Sequence, residues 1–182
     1  IDVADVVCTV LVVFGNSSCT TGSLLAADAA EPAVLALDPA VKGQAVEIPV
    51  TLDGGGAAIA GAAFTLIYDP QQMILDESDV DGDGLPDAVT FAVGGGFKRS
   101  VSVDAANGRI KVAVYGISLP LPTIANGPVA MVRLQAQGNQ PLTGFGVADA
   151  ALGNAAGSNT PVEIKVNGAS QTIHLYLPTI SK

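Results

Sequence analysis

The stretch "AVEIPVTL", Ala45–Leu52, decides the fold. Val46, Ile48, Val50 and Leu52 fall on one side of an extended chain; Glu47, Pro49 and Thr51 fall on the other. Successive side chains of a strand point to opposite faces, so this alternation marks a strand with one face buried. The pattern recurs downstream. In Arg109–Val114, Ile110, Val112 and Val114 oppose Arg109, Lys111 and Ala113. In Val129–Ala136, Ala130, Val132, Leu134 and Ala136 oppose Met131, Arg133 and Gln135. In Val162–Val166, Val162, Ile164 and Val166 oppose Glu163 and Lys165. In Thr172–Leu177, Ile173, Leu175 and Leu177 oppose Thr172, His174 and Tyr176. Turn signals such as "DGGG", "YDP", "ANG" and "LPLP" separate these runs. "DAANGRI" predicts a hairpin between Val101–Asp104 and Arg109–Tyr115. Nine or ten short strands, with no long helical pattern after residue 31, close best as two packed antiparallel sheets. The expectation is an all-β jelly-roll sandwich of about nine strands over residues 32–182, its last strand running into the C-terminal tail.

Composition supports a folded β-protein. Of 182 residues, 49% are hydrophobic and 14% charged, with 21 Gly and 11 Pro for turns. The formal charge of -9 disfavours a nucleic-acid partner, because phosphate binding needs a basic face. An acidic, lysine-poor surface suits calcium and an extracellular setting. No apolar run reaches the roughly 18 residues that span a bilayer, so membrane insertion is not expected. Val6–Phe14, the longest candidate, is too short and follows acidic residues where a signal peptide has basic ones. The chain starts at Ile1 without a methionine, which suggests that something precedes it in a precursor.

Asp79–Asp87, "DVDGDGLPD", carries the strongest chemical signal. Calcium takes six to eight oxygens at about 2.3–2.6 Å, and alternate carboxylates on a tight loop can all point inward. Asp79, Asp81, Asp83 and Asp87 are the candidate ligands, and the carbonyl of Leu85 offers a further oxygen. Gly82 and Gly84 permit the turn, and Pro86 stiffens the exit. Thr90 stands where an EF-hand has its bidentate Glu, so closure falls to Asp87, with Asp76 or Glu77 as further candidates. No Lys or Arg is near in sequence, and four such carboxylates repel one another without a cation. The bland alternative is a solvated acidic loop. Calcium is the cofactor expected, in a structural role.

Residues 1–31 form an arm of another kind. Val3, Val6, Val7, Val10, Leu11 and Phe14 fit a helical stripe, yet so much Val, Thr and Cys also suits a strand. Cys8 and Cys19 are too few for a structural zinc site, and the single histidine, His174, is distant in sequence. A disulfide is the better reading and implies an oxidising compartment. A helix over residues 3–14 allows an intrachain Cys8–Cys19 bridge; a strand turning at "GNSS" brings Cys19 opposite Phe14 instead and needs another path or a second chain.

Several stretches carry a family likeness. "AVLALDPAVKGQAVEIPVTLDGG", "AGAAFTLIYDPQQMIL", "GRIKVAVYG", "GPVAMVRLQAQG" and "VEIKVNGASQTI", spanning about residues 33–173, resemble a cohesin-type module. The most specific piece is F-x-L-x-Y-D-P at Phe64–Pro70. Cohesin modules are similar in fold to carbohydrate-binding modules. The resemblance implies an extracellular nine-stranded sandwich that binds another protein, often a calcium-loaded dockerin, and does no chemistry. The opening "IDVADVV" resembles the second half of a dockerin calcium loop and the start of its helix, with Asp2 and Asp5 at the last acidic positions. Lacking the first half, it cannot hold calcium alone.

His174 falls on the outward face of its strand, no G-x-S-x-G motif is present, and no Trp with only three Tyr and five Phe leaves few rings for sugar stacking. Enzyme and glycan binding are therefore disfavoured. The apolar arm must bury Val6, Val7, Val10, Leu11, Val12, Val13 and Phe14 against its own sandwich or a neighbour's. The leading expectation is a secreted, non-enzymatic structural protein, at the cell surface, that polymerises head to tail by donating this segment to the next copy. The alternative is a monomeric recognition module for a dockerin-like partner, with a glycan-binding module as a further one.

Overall fold

The computed structural model describes residues 31–138 and 144–171. Chain order gives thirteen strands among them: β1 (Ala33–Leu37), β2 (Ala40–Lys42), β3 (Ala45–Asp53), β4 (Ile59–Ile67), β5 (Met73–Leu75), β6 (Val89–Phe91), β7 (Phe97–Asp104), β8 (Arg109–Gly116), β9 (Gly127–Ala136), β10 (Gly146–Asn154), β11 (Asn159–Thr160), β12 (Val162–Val166) and β13 (Ala169–Gln171). They build the expected two-sheet sandwich. One sheet runs β13-β12-β1-β3-β9-β5, with β2 also on β3 and β6 also on β9. The other runs β11-β10-β4-β8-β7.

Two corrections concern strand count and direction. The expected nine or ten strands become thirteen partly because two edges are interrupted. Leu37 pairs with Val50 and Ala40 with Glu47, so the Asp38–Pro39 break lies across from Ile48 and Pro49. A strand proline has no N–H for the ladder, and the pairing gap falls beside it. Likewise β5 and β6 both pair with β9, and the acidic segment bulges out between them. The second correction is that β1 runs parallel to β12, the one exception to antiparallel pairing among the described residues.

The core follows the predicted alternation. Val46, Ile48, Val50 and Leu52 are buried, as are Ile110, Val112 and Val114. Val129 and Ala130 are buried side by side because β9 carries a bulge opposite Val50/Thr51. The hairpin β7–β8 forms with a one-turn 3-10 connection, Ala105–Asn107, closed by Gly108 in the left-handed region. The YDP turn locks onto that hairpin: the Tyr68 N–H donates to the Gly108 carbonyl at 2.8 Å. Asp69 organises the turn itself, its carboxylate accepting from the Gln71 N–H and its carbonyl from Gln72 and Met73. The most specific motif of the sequence is thus a structural joint that ties the crossover from β4 to β5 onto the β7–β8 hairpin. Burial, helped by the charges of Glu77 and Asp104, pushes the Tyr68 hydroxyl above its ordinary pKa.

Candidate functional site

The acidic loop spans residues 76–88 between β5 and β6 and is shaped by its own carboxylates. Asp79 accepts from the N–H groups of Gly82 at 2.8 Å, Asp83 at 3.1 Å and Gly84 at 2.9 Å. Gly82 and Gly84 adopt φ of 72° and 82°, the left-handed region in which a side chain is strained. Asp87 closes the loop: its carboxylate accepts from the Val80 N–H, and its own N–H donates to the Ser78 carbonyl. Hydrogen bonds from the Ser78 N–H and hydroxyl hold the Asp76 carboxyl below its ordinary range.

This winding brings together oxygens of Asp79, Asp81 and Asp87, all within 4.8 Å of one another. Ligands at about 2.3–2.6 Å make a calcium shell about 5 Å across, so one oxygen from each of the three can reach a single ion. Asp83 is not in that group; its carboxylate accepts from the Leu85 N–H at 2.8 Å. In space the loop is not without a cation. Arg99, on β7, lines a cavity of about 220 Å³ with Asp81, Asp83 and Asp87. Its Nη2 donates to the Val93 carbonyl, its guanidinium lies 5.9 Å from the Phe91 ring centroid, and its buried Nε has no partner.

A second feature was not legible in the sequence. The outward face of the five-stranded sheet carries small residues along β4 and β10 and at Ala113 of β8, bordered by Lys98, Lys111 and Tyr115. Ser100, Ala113, Ala63 and Ala151 form one cross-strand row. Lys98, Tyr115, Gly61 and Gly153 form the next. β4 is buried on both faces along most of its length, because Tyr115 and Lys111 flank its Gly61, Ala63 and Thr65. At the end of β8 the chain exposes Ile117 and Leu119, 64% and 57% accessible, beside a shallow hollow lined by Gly61, Tyr115, Leu121 and Asn154. Asp149 adopts φ 54° in the bulge of β10 that interrupts pairing with β4. Strain of that kind on a non-glycine residue concentrates at functional surfaces. Alternation placed Ala113 outward, but alanine carries no chemical signal of a site.

Other sequence candidates fall elsewhere. Cys8, Cys19, His174 and the segment Val6–Phe14, with its dockerin-like lead-in, lie outside the described residues, as does the strand expected at Thr172–Leu177. Among the described residues no helix is long and apolar enough to cross a membrane.

No family model and no curated protein sequence matches the chain. Solved structures do. The second type II cohesin module of the ScaA scaffoldin of Acetivibrio cellulolyticus is 13% identical; the match covers 76% of this chain and 98% of that module, at a TM-score of 0.54. Type II cohesin A11 of Bacteroides cellulosolvens is 12% identical over 76% of this chain and 99% of its own, at 0.56. The sixth cohesin of Acetivibrio cellulolyticus scaffoldin B, solved in complex with a dockerin, is 16% identical over 79% and 99%, at 0.52. At such identities the likeness is one of architecture, and it agrees with the two sheets and their packing described above. The chain has the β-sandwich fold of cohesin-type modules.

Proposed function

We propose that the protein is a non-enzymatic recognition module of the extracellular space that binds a dockerin-like partner on the outward face of the five-stranded sheet. The observation that carries this reading is the face itself. Small side chains at the half-buried Ala113 and Ala151, beside the buried Gly61 and Ala63, let a partner approach closely, while Ile117 and Leu119 offer apolar contacts beside them. The dockerin bound to the scaffoldin B cohesin supports the choice of partner. Titration calorimetry against a panel of calcium-loaded dockerin domains tests it. At least one should bind with micromolar or tighter affinity. Ala113→Arg, which raises a charged side chain in the middle of that face, should weaken that affinity about 100-fold, since burying an unpaired charge costs several kcal/mol. Failure of every dockerin, or an Ala113→Arg variant that binds normally, would count against the reading.

Calcium belongs to the same proposal. Asp79, Asp81 and Asp87 would hold the ion, with Asp83 and the Leu85 carbonyl beside them, and the ion would tie the excursion between β5 and β6 to its own ends. A ligand at about 100 times its Kd stabilises by about 2.7 kcal/mol. Replacing calcium with excess chelator should therefore lower the Tm by about 5–10 °C for a domain of this size. Asp79→Ala should abolish the difference. A melting curve indifferent to chelator would remove the ion from the account.

Head-to-tail assembly through Val6–Phe14 is a second reading. It is favoured by β7, an eight-residue strand that pairs only with β8 and leaves its other edge without a strand among the described residues.

A further inference from the structure

We propose that the open side of the sandwich, between β7 and the interrupted β5–β6 edge, is the acceptor for the chain's own segment Val6–Phe14; this rests on the reading of that segment as a donated strand. The side is poorly closed. Phe91, Phe97, Val101 and Val103 pack against the core but stay partly exposed, whereas Phe64 and Ile110 in the centre are fully buried. β5 and β6, three residues each, cover only part of β9. The acidic loop overhangs the gap and leaves a groove of about 350 Å³ against Phe97–Val101, with the 220 Å³ cavity beside it. β7 has no proline, and its own Arg99 turns into the gap with an unpartnered Nε. Edge strands are ordinarily blunted by proline, bulges or charges, or are covered; among the described residues β7 itself carries only the charges of Lys98, Arg99 and Asp104.

The occupant must be extended to pair along β7 and apolar where it meets Phe97 and Val101, beside the Asp83, Lys98 and Arg99 of the same groove. Three segments of the chain lie outside the described residues. Residues 139–143 are too few and contain Pro141. The tail after Gln171 leaves from β13, at the edge of the eight-stranded sheet away from β5. Val6–Phe14 is nine residues without a charge, matching the eight of β7. Residues 15–31 can span up to about 55 Å when extended, enough to reach this side of the same chain or of a neighbour.

Photocrosslinking of the full chain tests the assignment, with benzoylphenylalanine placed at exposed Ser100 on β7 or, as a control, at Gln135 on the far face of β9. Ser100 adducts should map to residues 6–14, those from Gln135 should not, and Val10→Asp should cut the Ser100 yield at least tenfold. Adducts from Ser100 to other segments, or none, overturn the acceptor. Adducts of residues 6–14 with Gln135 also overturn it while leaving the donor reading intact. Ser100 adducts confined to one chain's mass at every dilution uphold the acceptor and sink head-to-tail assembly.

Discussion

Phe64→Ala is expected to destabilise the protein by about 3–5 kcal/mol, a large part of the roughly 5–15 kcal/mol that holds a typical domain together. Phe64 lies at the centre of β4, opposite Val112 on β8, and is 1% exposed. It is among the largest fully buried side chains of the core, together with Leu35, Ile48, Leu52 and Leu66. β4 is the middle strand of its sheet, held on both sides by β8 and β10, so the backbone cannot collapse into the void left by a lost ring. The cost is then the lost transfer energy of the ring plus an unfilled cavity. Urea unfolding should show a lower midpoint with an unchanged slope. Ile74→Ala is the matched control: Ile74 is 46% exposed on an edge strand, and its loss should cost well under half as much. Equal effects would mean that the core is not centred on β4.

Gly108→Ala should cost more than about 3 kcal/mol, although it adds one methyl group. Gly108 sits at φ +59°, and a Cβ there would stand 2.0 Å from the Tyr68 carbonyl oxygen and 2.9 Å from Pro70 Cδ. The first contact is with backbone, which cannot rotate aside. Relief requires the hairpin to leave the YDP turn, which breaks the Tyr68–Gly108 hydrogen bond. Gly43→Ala separates the two components. Gly43 has a similar φ of +64° but nothing within 4 Å of its would-be Cβ, so only the left-handed strain of about 1–2 kcal/mol applies. Thermal melts of the two variants should differ by several degrees; indistinguishable melts would mean that the turn and hairpin are not locked.

These two residues also mark what can be read from the sequence. Phe64 stands in the F-x-L-x-Y-D-P stretch and Gly108 in the hairpin signal, and the turn and the hairpin took the shape expected of them. Local alternation reports burial of one face, and short turns report their own geometry. Pairing between distant strands is set by the whole core, so the parallel β1–β12 contact left no local trace. The bulge that buries Val129 beside Ala130 shifts alternation by one residue, which a strict two-residue period cannot represent. The split of one edge into β5 and β6 follows from the acidic excursion, whose spacing was visible but whose place in the sheet was not.

The candidate sites divide in the same way. The spacing singled out Asp79, Asp81, Asp83 and Asp87, and the loop brings Asp79, Asp81 and Asp87 together. Asp83 belongs to the same spacing but is not among the three whose oxygens converge. Arg99 enters the loop's cavity from β7, a neighbour in space that sequence distance concealed. The small-residue face was invisible for a chemical reason. Gly61, Ala63, Ala113 and Ala151 have no functional groups, and their meaning comes only from lying side by side across three strands.

That face is the centre of the account, and backbone NMR of the isotope-labelled protein tests it most directly. A dockerin domain that binds should be titrated in the presence of calcium. The account predicts shift changes concentrated at Gly61, Ala63, Ala113, Tyr115, Ile117 and Ala151. Changes concentrated instead on Glu47, Thr51, Met131 and Arg133, outward on the opposite sheet, would contradict it.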